Sequence, residues 1–309
     1  MPINKRSQVI INYLLLFILS ILWGSQFALN EIALKTIPAM TIAAGRTIVG
    51  VLTLSLVILL FAKPTPQNNQ SKTNSKWYSL WLTYALICIF EAVIPFFLIP
   101  WGQQQHVDSG IAAILTGTVP IFALLFSKVI LKESTWQVPA VLSIIIGFIG
   151  IIVLVLPDIK SGSNILGELA ILGASMGFAI GVLLLKKLPI DNPAASIRNI
   201  LILASIPLTI LSLIMDKPWT LDFTWQAVLS ICLVGAFGSG ICYFIYMLLI
   251  HRAGPTFATL CGYLVPLVGV VIGVVFLGNS FAINELFAII IIFAALLINQ
   301  LPILFYRAK

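Results

Sequence analysis

The sequence predicts an all-α integral membrane protein: ten transmembrane helices as two inverted five-helix repeats, with both termini cytoplasmic. Three observations carry this expectation. Of the 309 residues, 60% are hydrophobic and 9% charged, with a mean hydropathy of +1.11. Soluble domains carry roughly 25% charged residues, so this chain cannot cover a water-facing surface. Polar breaks divide it into ten apolar runs, and the basic residues alternate between those breaks in the way that sets membrane topology.

A bilayer core of ~30 Å calls for roughly 20 apolar helical residues. The runs that meet this length are 9–29, 38–61, 77–99, 109–131, 138–156, 165–185, 194–215, 224–249, 255–277 and 284–305. Lys5 and Arg6 ahead of the first run give it the start of a signal peptide. It is too long for one and lacks an A-x-A-like cleavage site before Trp23, so it reads as a retained span. Connections are short except Lys63–Lys76, which is too rich in Pro and Asn to be helical.

An N-terminus placed inside puts Lys5, Arg6, Lys63, Lys72, Lys76, Lys128, Lys132, Lys186, Lys187, Arg252, Arg307 and Lys309 in the cytoplasm. Lys35, Lys160 and Lys217 fall outside, and Arg46 and Arg198 lie within spans. Twelve inside, three outside and two embedded account for all 17, which supports the span count and places a multi-pass chain in an inner or plasma membrane. The net charge of +7 is therefore topology, not a face for nucleic acid. Cys88, Cys232, Cys242 and Cys261 lie in apolar runs with no CxxC spacing and read as core residues rather than metal ligands or a disulfide.

One stretch occurs twice. Gly110–Pro120, continuing to Leu131-Lys132-Glu133-Ser134, overlays Thr256–Pro266, continuing to Leu277-Gly278-Asn279-Ser280. A shift of 146 matches Ala112 to Ala258, Val119-Pro120 to Val265-Pro266, Leu131 to Leu277 and Ser134 to Ser280. Ahead of it, Lys35 falls on Lys187 and Arg46 on Arg198 at a shift of 152, the extra residues belonging to the Lys63–Lys76 loop. The repeats are 1–160 and 161–309, together one membrane domain. Five spans per half is odd, so the second half enters the membrane inverted, and interrupted apolar segments at matching places point to a secondary transporter.

Trp23-Gly24-Ser25, Arg46, Gly110 through Pro120 and Leu131-Lys132-Glu133 resemble the EamA family of the drug/metabolite transporter superfamily, over nearly the whole chain. The resemblance implies ten spans in two repeats, a cavity lined by spans one to four and six to nine, and export of amino acids or other small metabolites. Spans five and ten then pack peripherally or at a homodimer contact. Leu131-Lys132-Glu133 stands where the family usually has Leu-Gly-Glu, and the second repeat reads Leu277-Gly278-Asn279, so a shared role for that glutamate does not carry over.

Glu91 stands in the third span with no basic neighbour in sequence. A charge at such depth costs a few kcal/mol and marks function by default. Counted from Pro100 it lies ~13 Å deep, and Arg46 lies ~12 Å from Pro38. The two are expected at one level, either as a pair that substrate or a proton opens or as a static pair fixing two helices. Pro120 and Pro266 break helices, freeing the carbonyls of Thr116 and Gly262 toward a cavity or a packed kink. Thr116, Thr118 and Tyr263 supply hydroxyls nearby.

Trp23, Ser25, Gln26 and Asn30 form a polar-aromatic stripe on the first span, and Trp101 with Gln103, Gln104 and Gln105 clusters at the outer mouth. Tyr243 and Tyr246 share a helix face and either pack or line a cavity. Gly173-Ala-Ser175-Met-Gly177 matches G-x-S-x-G but lacks the strand–turn–helix context of a nucleophile elbow. Small residues at that spacing, continued to Gly181, serve close helix contact. His106 and His251 fall at opposite membrane edges, and Glu168 and Glu285 near helix starts. No HExxH, P-loop or EF-hand is present.

The expected function is a permease that exports or exchanges small amphipathic metabolites by alternating access. It needs no cofactor, metal or catalytic residue, and its partners are a small-molecule substrate and the lipid bilayer. The alternatives are a sugar, nucleotide-sugar or organophosphate carrier and, more remotely, an intramembrane serine hydrolase using Ser175 or Glu91.

Overall fold

A computed structural model describes residues 5–61, 74–130, 138–161, 165–185, 188, 193–253, 255–258 and 261–306. Within them the order is α1 (Lys5–Ala33), α2 (Ala39–Phe61), α3 (Asn74–Ile87), α4 (Ile94–Gln104), α5 (Ser109–Thr116), α6 (Val119–Ile130) and α7 (Val138–Ser161). Then follow α8 (Ile165–Leu185), α9 (Pro193–Met215), α10 (Trp225–Leu233), α11 (Cys242–Ala253), α12 (Pro255–Ala258), α13 (Cys261–Ile272) and α14 (Ile283–Tyr306). There is no strand among the described residues.

Among the described residues, seven helices are long and apolar enough to cross a membrane: Gln8–Ala33, Ala39–Leu60, Leu80–Gln104, Ser109–Ile130, Ile165–Leu185, Ala194–Met215 and Trp225–Leu249. Three shorter apolar helices, Val141–Pro157, Cys261–Leu277 and Ile283–Ala295, bring the total to the ten predicted runs. Their outward faces are apolar, with Leu59 80% and Phe276 77% exposed, as lipid-facing helices require. The Lys63–Lys76 loop up to residue 73, Leu131-Lys132-Glu133-Ser134, Lys186, Lys187, Arg307 and Lys309 lie outside the described residues.

Two spans contain π-helical segments, Cys88–Val93 between α3 and α4, and Val234–Ile241 between α10 and α11. They begin 146 positions apart (234 − 88), the shift that overlays Pro120 on Pro266. A third, Gly273–Leu277, ends α13. Such wide turns take one residue more than an α-turn and re-aim side chains, which is why they concentrate at functional sites.

Helix pairing follows a two-fold pattern. α1 packs on α13 while α8 packs on α5 and α6; α1 packs on α10 and α11 while α8 packs on α4. α2 meets the second π segment and α9 the first. α2 with α9 and α7 with α14 are each a helix against its counterpart, and α5 packs on α13, from the corresponding span. Close approach is set by small residues: Gly102 and Gly167 face each other's carbonyl oxygens, and Gly150 receives Ile292 where α7 meets α14.

One predicted boundary and one predicted helix break are corrected. The third span does not end at 99 but runs through Pro100 to Gln104. Pro100 is buried, and inside a packed membrane helix the carbonyl a proline frees is satisfied by its surroundings, so the helix continues. Pro266 likewise does not break its helix: it lies inside continuous α13. Pro120 does mark a break, with Gly117 and Thr118 separating α5 from α6.

Candidate functional site

The helices line a cavity of about 360 Å³. Its two charged lining residues are Arg46 and Glu91, and a π segment serves each of them. Glu91 belongs to the first segment and is 5% exposed. Its carboxylate reaches the cavity because α8 offers glycine there: a Cβ on Gly181 would collide with Glu91 Oε2, and one on Gly177 would lie 3.0 Å from the Phe90 carbonyl. Tyr243 donates its hydroxyl to Glu91 Oε1 at 3.0 Å, while Oε2 has no protein partner.

Arg46 comes from α2 and is 1% exposed. Nε donates to Ser239 Oγ in the second π segment, Nη2 donates to Gln26 Oε1, both at 3.0 Å, and the guanidinium lies 3.8 Å above the Phe96 ring. The expected Arg46–Glu91 pair is therefore absent. The reason is depth. Because α4 extends to Gln104, Glu91 lies about 20 Å from that end of its helix, whereas Arg46 lies about 10 Å from Ala39 at the start of α2. Each charge has its own neutral hydrogen-bond partners, and the two share a cavity without cancelling.

Aromatic side chains link them. Trp23 donates Nε1–H to the Gly238 carbonyl at 3.0 Å, beside Arg46, and meets the rings of Tyr243 and Tyr246 at 5.6 and 5.4 Å. Thr116, Pro120 and Tyr263 also line the cavity. Of the candidates picked out from the sequence, the fold thus brings Trp23, Gln26, Arg46, Glu91, Thr116, Pro120, Tyr243 and Tyr263 to one cavity. Ser25 does not join them: its hydroxyl turns back to the Leu22 carbonyl. Pro266 does not line the cavity; it is buried behind Gly117, on which a Cβ would meet its ring.

Sequence reasoning missed Phe96, Phe178 and Ser239. Two are phenylalanines among 19, with no signal to separate them. Ser239 had one, a Gly238-Ser239-Gly240 interruption of an apolar run. Gln103 and Gln104, expected at the outer mouth, lie inside α4, where Gln103 is buried and donates to the Phe27 carbonyl.

Ser175 is fully buried, and its hydroxyl donates to the carbonyls of Ile171 and Leu115, 3.0 Å each. Thr118 donates to the same Leu115 carbonyl through its backbone N–H and its hydroxyl. Ser175 thus pins the helix break at Pro120 and has no nucleophile geometry. Among the described residues no group of three metal-binding side chains occurs.

The sequence profile of the EamA-like transporter family matches residues 10–156 and again residues 165–300. The chain belongs to this family. It is 29% identical over 295 residues to the inner membrane transporter YedA of Escherichia coli (strain K12), covering 92% of this chain and 89% of that one. It is 24% identical over 286 residues to the transporter YvbV of Bacillus subtilis (strain 168), covering 90% and 88%. A crystal structure 14% identical in sequence superposes with a TM-score of 0.64 over 94% of this chain and 98% of the other, a likeness of fold. The EamA chain is a multi-pass membrane transporter.

Proposed function

We propose that this transporter exports or exchanges small zwitterionic or amphipathic metabolites, amino acids among them, by alternating access around the Arg46–Glu91 cavity. The observation that carries the reading is the separation of the two charges. Arg46 rests on Gln26, Ser239 and Phe96, Glu91 rests on Tyr243, and Glu91 Oε2 has no protein partner. A substrate carboxylate finds the guanidinium, where charge-assisted bonds are strong, and a substrate ammonium finds Glu91. The remaining lining is mostly apolar, including Leu124, Phe178 and Val182, and suits a hydrophobic side chain. The volume fits a small molecule.

An organophosphate needs several cations facing it. Among the described residues Arg46 is the one cation lining the cavity, and Arg198 is instead bonded to Asn199 Oδ1. This favours the zwitterion over a sugar-phosphate or nucleotide-sugar carrier. The two profile matches, the π segments 146 residues apart and the two-fold helix pairing support the inverted-repeat reading, with two interchangeable conformations. The cavity extends to Ser127 and Leu183, toward the end that carries most basic residues. The positive-inside rule makes that end cytoplasmic, with both termini there. Substrate then loads from the cytoplasm, driven by its own gradient or by protons exchanging at Glu91.

Trp23 lies in the cavity, so its fluorescence reports occupancy. Free amino acids quench or shift it saturably, whereas their N-acetyl and methyl-ester forms, each lacking one charge, do not. An N-acetyl form that binds as well as its parent removes Glu91 from recognition. A response to sugar phosphates alone replaces this reading with the organophosphate one.

A further inference from the structure

The cavity stops about two turns short of the helix ends opposite to those it approaches, near Phe27, Arg46, Phe96 and Thr116. Beyond it, cross-helix hydrogen bonds tie that end shut. Gln104 Oε1 accepts from the Ala39 N–H at 3.2 Å, and Asp216 Oδ2 accepts from both the N–H and the hydroxyl of Thr41 at 2.8 Å. The knot of most consequence joins three spans. Glu31 Oε2, from α1, accepts from the Ser109 N–H at the start of α5 at 3.0 Å and from Asn279 Nδ2 at 3.2 Å; Asn279 also donates to Ser109 Oγ at 3.0 Å. Gly278, at φ +72°, makes the turn that sets Asn279 there after the last π segment.

Two details set this knot apart. Asp108 holds the N-cap position of α5 with extended backbone (φ −62°, ψ 152°), yet its side chain caps nothing. Glu31 caps the helix from another span in its place. And Asn30, next to Glu31 in the chain, is fully buried with neither amide atom bonded to protein, an uncommon condition for a side chain with donors and an acceptor.

We infer that this end is the closed gate of the transport path, that Glu31 is a removable cap of α5 which Asp108 replaces when the gate opens, and that Asn30 lines the opened path. The inference rests on the alternating-access reading above. A gate must separate helices without stranding the N–H groups of a helix start. Rotation of the Asp108 side chain onto the Gly110 or Ile111 N–H caps the helix start locally, in the usual N-cap geometry, while water entering the opened end takes the Ser109 N–H that Glu31 releases, and Glu31 and Asn279 are free to part. The carboxyl of Asp108 is held above its ordinary value by burial and, second, by the charge of Glu31, so the two carboxylates already repel in the closed state. Opening exposes Asn30 and gives its amide polar partners.

The test is thiol accessibility in full-length protein in proteoliposomes, with Cys88, Cys232, Cys242 and Cys261 replaced by alanine or serine and Asn30→Cys as reporter. A membrane-impermeant maleimide is added from the Glu31 end. Labelling is slow in this parent and faster by about tenfold or more with Glu31→Gln or Asn279→Ala, as loss of a charge-assisted bond implies. With Asp108→Ala it is slower than in the parent, because the closed cap loses its rival. Asn279→Ala keeps the test decisive should Glu31→Gln fold poorly. Equal rates in all four proteins overturn the gate, and faster labelling with Asp108→Ala overturns the cap exchange. Labelling needs no substrate, so a failure of the zwitterion assignment leaves this result readable.

Discussion

Glu91 and Arg46 have opposite relations to their surroundings. Arg46 is braced by two hydrogen bonds and an aromatic face, and its position is over-determined. Glu91 has one bond, from Tyr243, and a free oxygen against the bare backbone of Gly181. Space at Gly181 is thus what the carboxylate depends on. Gly181→Ala puts a methyl group into that oxygen and pushes the carboxylate off Tyr243. We expect a loss of transport together with a destabilisation of about 1–3 kcal/mol, the usual cost of overpacking, measured by thermal unfolding in detergent. An alanine variant that unfolds and transports like wild type means the carboxylate does not sit against α8. Both charges were legible as residues, since a carboxylate and a guanidinium inside apolar runs stand out. Their partners were not: Tyr243 and Ser239 come from a span 152 and 193 positions away, and only folding brings them near.

Among the elements, the interrupted helix α5–α6 and the start of α5 matter most. Leu115 at the break gives its carbonyl to Thr118 and to Ser175 of α8. Ser175→Ala removes one neutral hydrogen bond, so stability falls by about 1 kcal/mol and transport persists; serine-directed fluorophosphonates label neither protein. Loss of labelling specific to the alanine variant reinstates the hydrolase reading. At the start of α5, the raised carboxyl of Asp108 favours its protonated form in the folded state. The resulting penalty is absent below the ordinary aspartate value of about 4 and complete once pH exceeds the raised one. Asp108→Asn therefore raises the unfolding midpoint at neutral pH, and the gain vanishes as pH falls below about 4. A gain that persists in acid assigns it to something other than charge.

Element placement was largely legible because apolar run length is dictated by bilayer thickness. The errors have local causes. Pro100 was read as the outer end of its span and Pro266 as a break within one, yet both lie inside continuous helices, as packed membrane surroundings permit. The π segments have no sequence periodicity to betray them, and the extension of α4 they accompany is what moved Glu91 away from the level of Arg46.

For the whole molecule, the correspondence between Pro120 and Pro266 has a parallel in the pairing of helices and in the spacing of the π segments, but the halves have diverged where chemistry resides. Glu91 overlays Phe237, which is 38% exposed and faces outward. The cavity is thus asymmetric: the first π segment contributes the carboxyl, and the second contributes Ser239, which holds the guanidinium. With one carboxyl in the cavity, the proposed function gives a proton and a substrate ammonium one site to compete for. The direct measurement is uptake of a pooled set of labelled amino acids into proteoliposomes, with and without an imposed proton gradient, comparing wild type with Glu91→Gln. Wild type transports in a gradient-dependent way, and the variant loses that transport. Equal, gradient-dependent transport by both proteins would contradict it and leave Glu91 a structural partner of Tyr243.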